Sequence, residues 1–554
     1  MFKNLRPALL FSFLICAGLM LTGILARPIF PVDETRYLTV AWEMHQSGNW
    51  ILPTLNGEPY HHKPPVLFWI INLLWAVFGV SQNVAQVAPF LAGFAVLGLS
   101  ARLSSRLFPM QKNAPLYTAV MLGGILPFVL YTNLIMFDLL LTVAVLIGVT
   151  ALWDFFKTYH MRYIFVFALA IGSGLLIKGP AVLLHIAPVL LGVRYWMGAL
   201  PSPVKKWLPH ILCGLVLGIG LALCWALPAA HEGGSEFTQK IFYGQTTGRV
   251  VNAFDHKHAL YWYLPFVPLF VVPWIFSSAL WRGMAVYLRD KDPAAQENKR
   301  LLFMWLGVVF VAFSLISGKQ VHYLLPLMPP VALLLTAAFL AAPDRLRKRD
   351  VVPILLGVIL LALVPVLLHI FAESLAALAP HSVHLEDAFT ALPIVPSLLI
   401  AVVISAAGIV ALKHGKTTAL VTVSVAMMLL TGAVQLAAKN SVYPHYDLEN
   451  FGEELQKYAG RPLAFAGTYH GEFGFLGRLR QPLVVIEPNQ MPVWYKEHPD
   501  GLVVLYTRKP DDFKGYMTVA SMPYRMTNYF LLLAPKNPVT SNGGNLTLRP
   551  HDGL

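Results

Sequence analysis

Apolar runs long enough to cross a bilayer recur along this chain from near its start to about residue 437, and nothing else constrains its fold as tightly. They fall near residues 8–27, 66–82, 85–103, 115–132, 138–155, 162–178, 180–197, 208–229, 260–281, 301–317, 321–342, 352–371, 392–412 and 418–437. Each approaches the roughly 20 residues a helix needs to span the hydrocarbon core. Inside lipid every backbone N–H and C=O must be satisfied within its own segment, so such runs fold as helices. Composition agrees. Of 554 residues, 56% are hydrophobic and only 12% charged, where a soluble domain averages roughly 25%. The chain is expected to be a mainly α, polytopic membrane protein.

A net charge of +13 raises nucleic acid as a partner, but the placement of the basic residues answers otherwise. If all the runs cross, the basic loops do not sort onto one side. If the second, "VLFWIINLLWAVFGV", lies along the far interface, they do. Lys3, Arg6 and the loops holding Arg102/Arg106/Lys112, Lys157/Arg162, Arg194/Lys205/Lys206, Arg282/Arg289/Lys291/Lys299/Arg300, Arg345/Arg347/Lys348/Arg349 and Lys413/Lys416 then face the cytoplasm, 21 of the 41 Lys and Arg. The opposite loops hold only eight, Arg27, Arg36, Lys63, Lys178, Lys240, Arg249, Lys257 and Lys319, and the remaining 12 lie in the tail. This sorting predicts about thirteen transmembrane helices, a juxtamembrane helix on the far face after Lys63, a cytoplasmic N-terminus and an extracytoplasmic tail. No nucleic-acid partner is implied. The first run follows Lys3 and Arg6 and ends in "GILARP"; its length reads as an uncleaved signal anchor more than a cleaved signal peptide. Cys16, Cys213 and Cys224 all fall in apolar runs, which predicts buried thiols without a disulfide framework or zinc knuckle.

After Lys439 the sequence becomes mixed polar and apolar. The expected organisation is a membrane domain over 1–438, a small α/β domain over 439–536, and a disordered Gly- and Asn-rich tail over 537–554. "PLAFAG", "PLVVIE", "GLVVLYT" and "YFLLLAP" read as strands, and "GEFGFLGRL" and "QMPVWYKEH" as short helices between them.

With this topology the unusual polar residues collect on one side. The first outer loop, "PVDETRYLTVAWEMHQSGNWILPTLNGEPYHHKPP", supplies Asp33, Glu34, Arg36, Tyr37, Tyr60, His61, His62 and Lys63. Asp138 lies where "YTNLIMFDLLLTV" re-enters the membrane, and Lys178 closes "LIKGP". Arg249, Asp255, His256 and His258 follow in "GRVVNAFDHKHALYWYLP", then Lys319 and Tyr323 in "SGKQVHYLLP". Several have a plain structural explanation. Trp50, Tyr131, Trp262 and Tyr263 suit an interfacial belt; Lys178 can snorkel; His322 needs no more than a hydrogen bond. Asp138 is harder to dismiss, because an acid at the lip of an apolar span is costly unless it has a partner or a task.

Two separated carboxylates can orient or deprotonate an acceptor, or hold a divalent cation. Lysines and arginines at the same depth suit an anionic group at the membrane surface, such as a phosphate on a lipid tail. No Gly-rich nucleotide loop is present. Glycosyl transfer from a lipid-phosphate donor meets these constraints, with fixed cations stabilising the phosphate leaving group. A flippase or transporter of a lipid-linked sugar is the rival outside enzymology, but it would favour charges at the midplane and inverted repeats, and neither is evident.

The stretch "PVDETRY…GNWILPTLNGEPYHHKPP", with "LIKGP", "YWYLP" and "SGKQVHYLLP", resembles the lipid A aminoarabinose transferases, multispanning glycosyltransferases of the C-type fold related to protein O-mannosyltransferases. The resemblance implies a C-type glycosyltransferase fold in a bacterial inner membrane, with the tail in the periplasm. It implies transfer of a 4-amino-4-deoxy-L-arabinose-type sugar from a polyprenyl-phosphate donor to a lipid A phosphate, with inversion. A protein or polysaccharide O-mannosyltransferase-like activity stays open. Asp33 matches the central acid and Asp138 the second. Arg36, Lys63 and Arg249 match phosphate contacts, while Tyr37, Tyr60, His256, Lys319 and Tyr323 would line the carrier-phosphate pocket. Members carry Glu before the Lys-Pro pair, near a bound divalent metal; here His62 stands in that place. Imidazole is a zinc ligand, so a divalent metal, Zn or Mg/Mn, is carried as an expectation at His62.

Overall fold

The structure, a computed structural model, describes residues 2–199, 202–242, 258–344, 347–379, 381, 382 and 384–536. Among them, seven helices are long and apolar enough to cross a membrane: Asn4–Ala26, Gln82–Leu107, Phe137–Thr158, Val204–Phe242, Pro293–Leu315, Val321–Ala341 and Lys416–Ala438. Lys348–Ala362 with Val364–Ile370 adds an eighth if that broken pair is one span. Each coincides with a run read from the sequence, and the protein is a multi-pass membrane protein. Of the remaining runs, Arg162–Lys178 and Ile394–Lys413 are single helices of 17 and 20 residues, and the others fold as shorter pieces. Residues 115–132 divide into Ala114–Gly123 and Leu126–Tyr131, with Pro127 at the start of the second helix. Residues 180–197 divide into Ala181–Leu191 and Val193–Met197 around Gly192. The segment after Lys63 is the helix Val66–Phe78, 13 residues, which reaches about 20 Å at 1.5 Å per residue, short of the ~30 Å core.

The chain forms two compact units. The first holds Met1–Ile24, His61–Leu363 and Leu398–Ala433; the second holds Leu25–Tyr60, Val364–Ser397 and Val434–Leu554. This division cuts the chain differently from a single boundary at 438/439, because residues 25–60 and 364–397 fall with the C-terminal segment. The tail 537–554 lies outside the described residues.

In the first unit, helices Phe137–Thr158, Arg162–Lys178 and Val204–Gln239 pack side by side. Small residues allow this. A Cβ on Gly218 would stand 2.8 Å from the Ala168 carbonyl oxygen, and one on Gly172 2.9 Å from that of Gly218, the close backbone approach that drives helix association where lipid supplies no hydrophobic contrast. Cys16 is buried, whereas Cys213 and Cys224 are exposed on their helix, contrary to the expectation of three buried thiols. In a membrane helix an apolar residue does not need a protein-facing position. All three are free.

The second unit contains helix α1 (Asp33–Ser47), the hairpin β1 (Thr54–Leu55) and β2 (Glu58–Pro59), and a five-stranded mixed sheet. The sheet strands are β3 (Leu463–Ala466), β4 (Val484–Ile486), β5 (Leu502–Thr507), β6 (Tyr516–Tyr524) and β7 (Asn528–Pro535), in the order β4-β3-β5-β7-β6. β3 runs parallel to β4 and β5; β7 runs antiparallel to β5 and β6. Helix Met491–Glu497 covers one face, with Met491 and Trp494 packed on Ala464, Val503 and Leu533. Four of the strands and this helix coincide with the sequence reading. The expected helix over "GEFGFLGRL" is instead a turn-rich segment. Its glycines serve close packing: a Cβ on Gly474 would meet the Thr39 side chain at 2.3 Å. The Thr39 hydroxyl donates to the Gly471 carbonyl at 2.8 Å and accepts from the Phe475 N–H at 3.1 Å, which fastens the segment to α1.

Candidate active site

α1 begins at Asp33 because two acids in its first turn, Asp33 and Glu34, complement the partial positive charge of the helix N-terminus. It ends at Gly48, whose φ of +67° closes the helix with an N–H donated to the Met44 carbonyl. Tyr37, Leu38, Ala41 and Met44 bury one face.

The two acids at its head do different jobs. Glu34 is buried; its carboxylate takes both guanidinium branches of Arg27, at 2.5 and 3.0 Å, and the Phe30 N–H at 2.9 Å. A buried bidentate pair of this kind holds the backbone at the entry to the helix. Asp33, by contrast, has its side chain 51% exposed, with Arg36 at 3.9 Å and the Tyr37 hydroxyl donating to it at 3.3 Å. Neither contact is tight. The Arg36 Nε is buried with no hydrogen-bond partner among the described residues, so the guanidinium is lightly held as well. Tyr60 is buried, its N–H donating to the Pro53 carbonyl.

A residue the sequence did not single out stands beside Arg36. Glu472 is buried, accepts from the His470 N–H at 2.8 Å, and lies close enough to Arg36 and Arg525 to feel both. Burial nevertheless dominates and pushes its carboxyl above the usual carboxylate range. The sequence signal was faint: one acid in a stretch that reads as an ordinary amphipathic helix.

In the first unit a second cluster forms around Asp138. Its carboxylate is buried and accepts from the Lys178 ammonium at 2.5 Å, so the acid at the membrane lip has its partner, and Lys178 does more than snorkel. The Lys178 ammonium also lies 4.6 Å from the centre of the Tyr323 ring, which packs on His322 at 4.8 Å. Lys63 stands over Phe137 at 5.9 Å, and Lys63 and His322 both act electrostatically on Asp138. Lys319 is buried and donates to the carbonyls of Ile316 at 2.6 Å and His258 at 3.0 Å. Desolvation pulls its ammonium below the ordinary lysine range. Two of its three N–H bonds are spent on the backbone, and the third has no partner among the described residues. Tyr263 is not a belt residue: it is fully buried, its hydroxyl bonded to the Gln320 backbone. His185, unremarked in the sequence, is fully buried beside Phe313, and both its ring nitrogens lack a partner among the described residues.

Asp138, Lys63, Lys319 and Tyr323 thus belong to one unit, and Asp33, Glu34, Arg36, Tyr37 and Tyr60 to the other. Arg249 and His256 lie outside the described residues. His62 packs against His61 with ring centres 4.4 Å apart. Among the described residues no group of three His, Cys, Asp or Glu side chains gathers that could hold a metal.

Known proteins resemble this chain over part or most of its length. The chain matches the dolichyl-phosphate-mannose-protein mannosyltransferase family over residues 62–226. It is 29% identical over 342 residues to undecaprenyl phosphate-alpha-4-amino-4-deoxy-L-arabinose arabinosyl transferase 1 of Pseudomonas fluorescens, covering 59% of this chain and 56% of that protein. It is 25% identical over 357 residues to the corresponding transferase of Yersinia pestis, covering 63% and 61%. The chain therefore spans little more than half the length of these curated relatives. Its fold is that of ArnT from Cupriavidus metallidurans. The crystal structure bound to undecaprenyl phosphate superimposes with a TM-score of 0.76 at 18% identity, over 97% of this chain and 99% of that one, and the apo structure gives 0.75. The architecture is thus the C-type glycosyltransferase fold expected from the sequence.

Proposed function

We propose that this protein is a membrane glycosyltransferase that takes a sugar from a polyprenyl-phosphate carrier at the periplasmic face of a bacterial inner membrane. The sugar is a 4-amino-4-deoxy-L-arabinose-type residue and the acceptor a lipid A phosphate, with inversion at the anomeric carbon. The N-terminus is cytoplasmic and the C-terminal segment periplasmic, as the sorting of basic residues indicates. One observation carries the reading. Asp33 heads a helix whose entry is locked by Arg27 and Glu34, yet its own carboxylate is half exposed and loosely held. That is a fixed acid available to a substrate.

The chemistry then divides by residue. A lipid A phosphate is already anionic, so attack needs no strong base; Asp33 orients the acceptor or stabilises positive charge developing on the sugar. Were the acceptor a hydroxyl, Asp33 would take its proton. Lys63 and the remaining donor of Lys319 meet the carrier phosphate as negative charge builds on the leaving group, with Arg249 in the same role. Arg36, whose Nε has no hydrogen-bond partner among the described residues, takes a second phosphate. Asp138 acts through Lys178, holding that ammonium in register with Tyr323. No step is routed through a metal.

A second reading follows from the family match over residues 62–226: an O-mannosyltransferase-like enzyme acting on protein or polysaccharide. Lipid A mass spectra from cells with and without the gene separate the two. Disappearance of an aminoarabinose-bearing species on deletion is expected. Unchanged lipid A with a lost protein or polysaccharide glycan would establish the second reading instead.

A further inference from the structure

The second unit holds a cleft of about 290 Å³ bordered by the C-terminal half of α1, the hairpin and residues 469–482. It belongs to neither cluster described above. Its floor is rigid. The Glu43 carboxylate accepts from the Thr54 hydroxyl at 2.7 Å, the Asn56 N–H at 2.6 Å and the Gly57 N–H at 3.1 Å. Asn56 and Gly57 both have positive φ, the backbone of a two-residue hairpin turn. The Asn56 side chain exchanges two hydrogen bonds with the Leu483 backbone. Tyr469 accepts from the N–H groups of Phe473 and Gly474, and Trp42 donates to the Leu479 carbonyl. One acid thus spends most of its acceptors fixing the turn.

The mouth is different. Gln46, Ser47, Arg480 and Gln481 line it with exposed side chains. Amides and hydroxyls both donate and accept, which matches a ligand whose own groups do the same. The single guanidinium is offset by Glu43, so the cleft is no anion funnel. Trp42 and Tyr469 add ring edges to the wall; the Trp42 ring is itself held by Arg478 at 5.3 Å and by His45 stacked at 6.1 Å. The volume, at the small end for ligand pockets, fits a sugar ring and not a lipid tail. We propose that this cleft is a saccharide subsite that receives a hydroxyl-rich sugar ring of the acceptor. Glu43 lies ten residues along α1 from Asp33, about 15 Å at 1.5 Å per residue, so one extended acceptor can reach both. The acceptor assignment rests on the glycosyl-transfer reading; the saccharide chemistry does not.

The test uses full-length protein in detergent, titrated calorimetrically with de-acylated lipopolysaccharide oligosaccharide and, separately, with free glucosamine and with inorganic phosphate. Saturable oligosaccharide binding is expected, weakened about tenfold in Gln46→Ala/Gln481→Ala, the effect of two lost hydrogen bonds, with an unchanged Tm. Glucosamine binding with the same sensitivity supports the subsite. Absence of saturable oligosaccharide binding, an unchanged affinity in the double variant, or displacement of the oligosaccharide by phosphate overturns it. In a transfer assay the double variant raises the acceptor KM and leaves kcat and the donor KM unaltered. Calorimetry needs no donor, so variant-sensitive binding without any transfer sinks the glycosyl-transfer reading alone. Transfer with an unaltered acceptor KM sinks the subsite alone.

Discussion

Asp33 and Asp138 satisfy the same sequence argument, an acid beside an apolar span, yet the two regions hold them in opposite ways. Asp138 has its side chain 3% exposed and its charge closed by Lys178 at 2.5 Å. Asp33 is 51% exposed, with Arg36 at 3.9 Å. A buried pair costs little only while both members are present, so Asp138 is bound up with folding and with the placement of Lys178. An exposed, lightly held carboxylate contributes little to stability and is free for a substrate. Burial separates an acid enclosed with its partner from one open to solvent.

The largest effect is expected from splitting the buried pair. Lys178→Met leaves the buried Asp138 without its ion-pair partner and should cost about 3–5 kcal/mol, read by unfolding in detergent. The double variant Lys178→Met/Asp138→Asn should recover most of that stability without recovering transfer. If the single and double variants are equally unstable, the contrast with Asp33 fails. Next, Asp33→Asn should lower transfer about 100-fold or more with Tm unmoved, measured with a polyprenyl-phosphate donor; full activity with both phosphate and hydroxyl acceptors would remove Asp33 from catalysis. Glu472→Gln sharpens the comparison through pH. Because the folded-state carboxyl of Glu472 is pushed up, its contribution is fully present below the unfolded pKa and is lost as pH rises through the folded one. Wild-type Tm should therefore fall relative to the Gln variant across the interval from the ordinary carboxylate pKa upward, and parallel curves would refute the assignment. The smallest effect belongs to the partly exposed Lys157–Glu297 pair, where Lys157→Met should cost no more than about 1 kcal/mol.

Much of this was readable in the sequence. Long apolar runs announced the spanning helices, since no other local structure satisfies a backbone in lipid. "PLAFAG" and "GLVVLYT" announced central strands because both of their faces are apolar. β6 was missed for a physical reason: it is an edge strand with a register irregularity between Thr518 and Ala520 and a proline at 523, so it lacks the signature of a buried strand. "LNGE" carried an unused signal, since Asn-Gly between short extended segments marks a tight hairpin. Asp33 and Asp138 were legible as candidates. Glu472 was not, because its importance comes from a packing partner hundreds of residues away in the chain.

Local chemistry alone determined which stretches are apolar enough to enter lipid and which polar residues stand too near the membrane to be incidental. These follow from hydropathy, charge and turn propensity, which act over a few residues. Only the tertiary structure decided that Glu34 is spent on Arg27, that Lys178 answers Asp138, that Lys319 is held by carbonyls, and that Glu43 braces a cleft. Each of those outcomes depends on which groups lose water together, and desolvation is set by the neighbours that folding brings in, not by the residue's own position in the chain.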